Sequence, residues 1–336
     1  MNLQSRFVNQ VAILICLSVS VCTQGNSKAG DITVADIVDA WENRDKTIPT
    51  FECECKITKE ITRFLHERSG GAFDDPNKGE PGGTMQISKG LTVKLRGKDI
   101  FILEKGEHCD IDNFEIFDQS VHIASSDGRI EYFVTSSRSQ LAMGGFANVK
   151  VPGFPLPSAM TSESSIIQLW YDPLEFFAVH NVDIRKARRV NENPGTSIDL
   201  VVTLQNGRAA SVVVSVSSRP PYLPLEYKTL VKNSLLSNYE LEYQTSKSGD
   251  EILSSWAIQQ FRGDGSITSE SRGKVQSFQQ GKQIEDKEFE LSYPIGAHLI
   301  EYLNRGQRKY WVQESFEEKQ EIEKHNFGRK QVPELF

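Results

Sequence analysis

Residues 51–58 indicate the class of the fold, and they read Phe51-Glu52-Cys53-Glu54-Cys55-Lys56-Ile57-Thr58. Apolar and polar residues alternate strictly along this stretch. Such alternation is typical of a β-strand, in which every second side chain turns to the same face. The stretch therefore predicts a strand with one buried face and one face in water.

Similar runs continue along most of the chain. A loop rich in Gly, Asp and Pro is expected from Phe64 to Gly83, before the next run. Turn sequences such as Asp127-Gly128 and Asn206-Gly207 separate neighbouring runs and are typical of tight hairpins. Strands joined in this way are antiparallel neighbours. We expect strands near 84–95, 99–104, 119–125, 129–135, 180–190, 197–205, 208–218, 224–232, 236–245, 252–262, 267–279, 286–303 and 309–313.

Two segments have helical periodicity instead. Apolar residues at Val34, Ile37, Val38 and Trp41 form one helical face, and Thr33 begins a sequence that resembles a capping box. A second, shorter helix is expected over 162–171, where Ile167 and Trp170 belong to its apolar side. Pro49 should end the first helix and Pro173 the second.

The predicted fold class is mainly β (α+β). About 11 or more antiparallel strands cannot lie flat, because strand twist accumulates and a long sheet curls. The apolar faces of the two helices and the apolar face of the curled sheet must both be buried away from water. We therefore expect a curved, open half-barrel with helices over its concave face.

Several short motifs carry a resemblance to a known family. The early helix is followed by a strand that begins at Phe51. The later motifs are Tyr222-Leu223-Pro224-Leu225-Glu226-Tyr227, Ser255-Trp256-Ala257-Ile258, Asp264-Gly265-Ser266, Phe289-Glu290-Leu291-Ser292-Tyr293-Pro294-Ile295-Gly296-Ala297-His298-Leu299 and Lys309-Tyr310-Trp311-Val312. In this order of elements, residues 31–313 resemble the LolA/LolB-like (outer-membrane lipoprotein-sorting) class of secreted bacterial proteins.

The resemblance implies an open β-barrel with a helical lid and an apolar cavity for acyl chains or similar ligands. It does not by itself imply lipoprotein transport. This chain has Ala297 where the family usually has Thr, and no motif assigns Arg44 to the arginine that locks the family's lid. The chain is also longer than a typical carrier, with insertions at 64–83 and 140–165.

The N-terminus predicts export. Arg6 precedes an uncharged run from Val11 to Val21 that is the right length for a secretory signal and too short to cross a bilayer. Ser27-Lys28-Ala29 fits a cleavage site, and lipidation at Cys22 is the alternative. We expect a signal peptide (1–29), a half-barrel domain (30–313) and a charged C-terminal tail (314–336) that is helical or disordered. The expected location is periplasmic or secreted, with no transmembrane segment in the mature chain.

Composition excludes some partners and some chemistry. The formal net charge of −7 and the lack of a basic cluster argue against nucleic acid. No catalytic motif of a hydrolase, phosphate loop or dinucleotide fingerprint occurs. Cys53 and Cys55 lie on the buried face of their strand, so we expect small core residues. The sequence leaves open whether one of them is bridged to Cys109. Neither a metal nor a cofactor is expected.

Six residues are predicted to line a ligand cavity, because the helical cover of a half-barrel is also the wall of its cavity. They are Val38, Trp41, Phe146, Phe154, Ile167 and Trp170, with Phe146 and Phe154 in a predicted lid loop. The first functional hypothesis is a non-enzymatic binding protein for an apolar ligand, either a lipid or a lipidated chain. The alternatives are an envelope interaction or sensor module with a filled core, and a hydrolase. The sequence does not indicate the oligomeric state.

Overall fold

The structure is a computed structural model, and it describes the chain in twelve segments. These are residues 32–44, 48–65, 80–110, 115–126, 129–136, 146–150, 162–193, 197–204, 210–247, 249–302, 307–315 and 318–322. The chain divides into two units, Met1–Ile32 and Thr33–Phe336. The first contributes only Ile32 to the described residues, and everything below concerns the second.

Sixteen strands occur in the described segments, and all belong to one sheet. Their bounds are β1 Thr50–Leu65, β2 Glu80–Arg96, β3 Asp99–Asp110, β4 Glu115–Ser126, β5 Arg129–Ser136, β6 Phe146–Lys150, β7 Arg188–Asn193, β8 Ser197–Leu204, β9 Ala210–Ser217, β10 Pro224–Val231, β11 Ser234–Thr245, β12 Glu251–Phe261, β13 Ile267–Gln280, β14 His298–Tyr302, β15 Arg308–Gln313 and β16 Lys319–Glu321. Strands β2–β5 and β8–β13 lie close to the positions that the alternation in the sequence predicts, and hairpins join them.

The strand order is β16-β15-β14-β6-β5-β4-β3-β2-β1-β13-β12-β11-β10-β9-β8-β7. The two ends of this order, β16 and β7, do not pair with each other, so the sheet is open. All neighbours are antiparallel except β14 and β6, which are parallel. The predicted class, a curved, open, mainly antiparallel half-barrel, is confirmed, with this one parallel pair as a departure.

Helix α1 spans Val34–Glu42 and begins where the sequence predicts. The Thr33 hydroxyl accepts a hydrogen bond from the Asp36 backbone N–H, and the Asp36 carboxylate accepts one from the Thr33 backbone N–H. This capping box satisfies two N–H groups that a helix start would otherwise leave without partners.

Helix α2 spans Ser162–Tyr171 and helix α3 spans Pro173–Val179. Helix α2 ends before Pro173, as expected, but the second helix that follows it was not predicted. Pro173 lies in the first turn of α3, where a missing N–H costs nothing. Asp172 between the helices caps α3 by accepting a hydrogen bond from Glu175 N–H at 3.0 Å. The strand expected at 180–190 is also wrong in its first part, because a 3₁₀ turn at Ile184–Lys186 precedes β7.

The helices lie on one face of the sheet. Odd-numbered residues of β1 from Phe51 to Lys59 turn toward the helices, and Glu52 on the same strand turns away, where it pairs with Lys94 at 3.8 Å. Helix α2 is buried along its whole length from Glu163 to Tyr171, including its polar residues. The core of the protein is therefore the layer between these helices and the concave face.

The opposite face has a smaller core of its own. The strand expected over 286–303 begins only at His298, because Asp286–Phe289 forms a 3₁₀ turn and Pro294 interrupts the ladder. The segment before His298 packs instead on β3–β5, where Phe133, Ala297 and Leu299 form a buried cluster. The Tyr293 ring meets Phe133 edge-on, with the ring centroids 5.4 Å apart.

The predicted loop and tail are also shorter than the sequence indicates. Strand β1 continues to Leu65 and β2 begins at Glu80, so strand pairing takes up both ends of the expected 64–83 loop. In the described part of the tail, Lys319–Glu321 adds to the sheet beside β15. No helix in the described segments has both the length and the apolar character that a membrane span requires.

Candidate binding site on the concave face

The sequence-predicted residues that the structure describes are buried between the helices and the sheet. Trp41 of α1 stacks on Phe177 of α3 with ring centroids 5.7 Å apart. Its indole N–H donates to the Tyr222 carbonyl oxygen at 2.8 Å. Only 3% of its surface is exposed, and Val38 and Ile167 are buried too. Their role as cavity walls stays a prediction.

Trp170 near the end of α2 is the centre of an aromatic layer. It meets Phe51 of β1 and Phe278 of β13 with ring centroids 5.2 and 5.7 Å away. Trp170 is 1% exposed, so this layer, made of Phe51, Trp170 and Phe278, fills the space between α2 and the central strands.

Arg44, just beyond α1, covers this layer. Its guanidinium carbon lies 5.7 Å from the centre of a Trp170 ring. Burial lowers the pKa of Arg44 to about 10, which still leaves the side chain charged at neutral pH. A buried cation over an indole ring is a favourable cation–π arrangement.

Two of the predicted residues lie elsewhere. Phe146 was expected in a lid loop but begins strand β6. Backbone pairing with β5 and β14 on both sides explains the difference. The side chain of Phe146 and the whole of Phe154 lie outside the described residues.

A cavity opens beside the aromatic layer. Its volume is about 530 Å³, and it lies at the ends of β11, β12 and β13. Ile252 and Phe278 supply its apolar wall, and Phe278 also belongs to the aromatic layer. The rest of the lining is polar and consists of Gln244, Thr245, Ser246, Lys247 and Gln280.

An ionic cluster that sequence reasoning missed lies under the first turn of α2. Glu163 Oε1 is 2.9 Å from Lys59 Nζ, and the Ser271 hydroxyl donates to the same oxygen at 2.9 Å. Glu163 Oε2 is 3.8 Å from Lys89 Nζ, which also pairs with Glu104 at 2.6 Å. The side chains of Glu163, Lys89 and Glu104 are at most 3% exposed.

The charges in this cluster depend on one another. Burial alone would raise the pKa of Glu163, but the charges of Lys89 and Lys59 hold it well below its usual value. Burial, together with the charge of Lys89, lowers the pKa of the neighbouring His108. At neutral pH Glu163 is therefore ionised and His108 is uncharged.

The ionic cluster is poorly suited to proton transfer. A carboxylate with a strongly lowered pKa is a weak base, so Glu163 is a poor activator of the Ser271 hydroxyl. Among the described residues, no group of three or more His, Cys, Asp or Glu side chains could hold a metal ion. The cluster joins a helix to the sheet by charge.

Cys53 and Cys55 are core residues, as expected, and the bridge to Cys109 that the sequence left open does not form. Cys53 and Cys55 are buried with their sulfur atoms 3.8 Å apart, and Cys109 is partly buried; all three are free thiols. The interaction with Cys55 and burial raise the pKa of the Cys53 thiol well above its usual value. The Cys53 thiol is therefore protonated at neutral pH.

Comparisons with known proteins give a likeness of fold. No protein-family profile matches the sequence, and no curated protein matches it either. A putative outer membrane lipoprotein-sorting protein domain from Vibrio parahaemolyticus is similar at 12% identity and a TM-score of 0.39, over 76% of this chain and 94% of that one. A LolA superfamily protein from Nitrosomonas europaea is similar at 11% identity and a TM-score of 0.43, over 77% and 98%. Both belong to the class that the sequence resembles, and no ligand or partner is inferred from them.

Proposed function

We propose that the protein is an exported, non-enzymatic binding protein that shelters an apolar chain, from a lipid or a lipidated protein, between the concave face and its helices. The observation that carries this proposal is the cavity of about 530 Å³ that opens onto the aromatic layer at Phe278. An apolar chain that enters there meets Ile252 first and then the rings of Phe51 and Trp170. The polar rim forms the entrance through which the ligand passes.

Helices α2 and α3 can be displaced from the concave face of the sheet. Helices α2 and α3 have 10 and 7 residues, and helices of that length are not stable alone in water. Tertiary packing on the sheet holds them, so a ligand that replaces this packing can displace them. Each CH₂ group that the ligand buries contributes about 0.8 kcal/mol, which offsets the loss of helix contacts.

The arrangement described above, with α2 and α3 packed on the sheet, is then the closed form. Trp41 and Trp170 occupy the space that a ligand would take. Opening requires α2 and α3 to move together, because Asp172 is at once the residue after α2 and the N-cap of α3.

A second candidate function is an interaction module with a permanently filled core. The dense packing of Trp41 and Trp170 favours it, since both are almost fully buried without any ligand. This candidate predicts that the helices never leave the sheet and that no small molecule copurifies.

Export to the periplasm or the exterior is part of the proposal. The signal-like residues 1–29 lie outside the described residues. Cleavage near Ala29 gives a soluble secreted protein, and lipidation at Cys22 gives an anchored one. Mass spectrometry of the mature N-terminus distinguishes these two outcomes.

Native mass spectrometry with lipid extraction, on protein purified from its own cell envelope, tests the binding function. We expect bound acyl species in the wild type. Gln244→Trp fills the cavity from its rim and should remove them. Gln279→Trp is the matched control, since Gln279 is exposed and pairs with Glu52, whose side chain points to the other face of the sheet. A clean protein mass for the wild type would instead support the filled-core module.

A further inference from the structure

We propose that Glu163 is a built-in substitute for the anionic headgroup of the ligand, and that Lys59, Lys89 and Ser271 bind this headgroup once α2 has moved away. The inference rests on the proposed binding function. It assigns the ligand to a chemical class, amphiphiles with a carboxylate or phosphate group next to an apolar chain.

Three side-chain partners of Glu163 described above, Lys59, Lys89 and Ser271, all belong to the sheet. Lys59 is on β1, Lys89 on β2 and Ser271 on β13, and these three strands are direct neighbours at the centre of the strand order. Only the carboxylate comes from the helical cover. The sheet thus supplies a complete set of donors for an anion, and the helix supplies the anion.

The charges of the cluster favour a ligand anion in the place that Glu163 leaves when α2 moves away. With Glu163 in place, Lys59 and Lys89 face Glu163 and Glu104, two positive charges against two negative ones. Without Glu163, one positive charge is in excess at a position that is buried in the closed form. A ligand that covers the site again without an anion would bury this excess charge, which is costly, so a ligand that brings its own anion is favoured there.

The surroundings of the lysines point to an amphiphile rather than a free anion. Ile57 lies two residues before Lys59 on the same face of β1, and Leu91 lies two residues after Lys89 on β2. Both are fully buried under the helices in the closed form. A ligand that takes the place of α2 therefore covers both the apolar residues Ile57 and Leu91 and the cationic site formed by the two lysines.

A purely structural role for Glu163 is the alternative explanation. Buried ion pairs contribute little net stability compared with apolar residues of the same size, but they fix the register of the elements they join. In that case the lysines would contact Glu163 only, and no ligand would depend on them.

Binding of a fluorescent fatty acid and of its uncharged methyl ester distinguishes these explanations. In the wild type we expect the acid to bind at least roughly tenfold more tightly than the ester, the value of one charge-assisted hydrogen bond. Lys59→Gln should remove most of this preference. Lys56→Gln is the matched control, because Lys56 is an exposed residue on the other face of the same strand.

Glu163→Gln tests whether the ligand headgroup takes the place of the Glu163 carboxylate. The variant removes the competing anion from the closed form and leaves the open form unchanged. We therefore expect both probes to bind more tightly by the same factor, roughly tenfold, with the acid-to-ester preference retained. Unchanged affinity for both probes would show that the ligand does not displace Glu163 and would overturn the inference.

The outcomes separate the two proposals. If neither probe binds to any variant, the proposed binding function fails. If both probes bind equally well and Lys59→Gln changes nothing, the binding function stands and the headgroup site is overturned. Should Glu163→Gln fail to fold, Ser271→Ala replaces it, because loss of this hydroxyl donor also weakens the acid-to-ester preference.

Discussion

At the residue scale, Gly273 shows how closely side chains pack on this sheet. It lies opposite Trp256 in the β12–β13 ladder. A Cβ atom at Gly273 would be 2.0 Å from the Trp256 ring, so the indole occupies the space that the missing side chain leaves. Glycine is thus required here for close approach rather than for its backbone freedom.

We predict that Gly273→Ala lowers the free energy of unfolding by about 1–3 kcal/mol, because the indole must move out of a packed layer. Urea unfolding followed by tryptophan fluorescence measures the change. Gly90→Ala is the control, since the nearest atom to its new Cβ is 3.9 Å away. Equal stability of the two variants would contradict the prediction.

The alternation of residues 51–58 correctly predicts which cysteines are buried and which face Glu52 takes. The same alternation, continued to Lys59, places a charged residue on the inward face, and this was the available signal for the ionic cluster. Its partner Glu163 lies 104 residues away along the chain. Periodicity assigns faces but not the register between distant elements, so the cluster could not be assembled from the sequence.

At the scale of elements, the junction between α2 and α3 depends on one side chain. The Asp172 side chain accepts a hydrogen bond from the Glu175 N–H. Pro173 begins the next helix, because its ring fixes φ near the helical value. Sequence analysis interprets Asp-Pro as the end of a helix. The same two residues are equally typical of a helix start, which is why α3 was missed.

We predict that Asp172→Ala lowers the free energy of unfolding by about 1 kcal/mol, through loss of the α3 cap. Asp172→Asn should cost much less, because the amide oxygen accepts the same hydrogen bond. Urea unfolding gives the energies, and hydrogen exchange at residues 173–179 locates the change. Faster exchange confined to other elements would count against this role.

The segment before β14 illustrates a second limit of periodicity. Phe289, Leu291 and Tyr293 alternate with polar residues and predict a strand. In the structure they cover the outer side of β3–β5 instead. Alternation indicates only that one side of an extended segment is buried. A segment that packs across the outer face of the sheet therefore has the same pattern as a strand within the sheet.

At the scale of the whole molecule, stability should depend on pH through its histidines. Burial lowers the pKa of His108, His122 and His298 in the folded protein. In the unfolded chain each has a pKa near 6.5. As the pH falls below about 6.5, the unfolded chain takes up protons first, so the folded state loses stability. Above that pH this contribution is fully present.

We predict a smaller free energy of unfolding at pH 5.5 than at pH 7.5, measured by urea unfolding at constant salt. His108→Asn should reduce the difference, since it removes one of the three groups. An unchanged difference in His108→Asn would show that His108 does not contribute.

The single parallel pair has a consequence for how the chain is completed. Because β6 and β14 are neighbours, residues 151–297, with α2, α3 and seven strands, form one excursion between two adjacent strands. During synthesis, which proceeds from the N-terminus, the edge of β6 that pairs with β14 stays unpaired until residues 298–302 have been made. An unpaired edge is a template for association with other chains. Protein shortened before His298 should therefore self-associate more than the full-length chain, in which β14 covers the edge of β6.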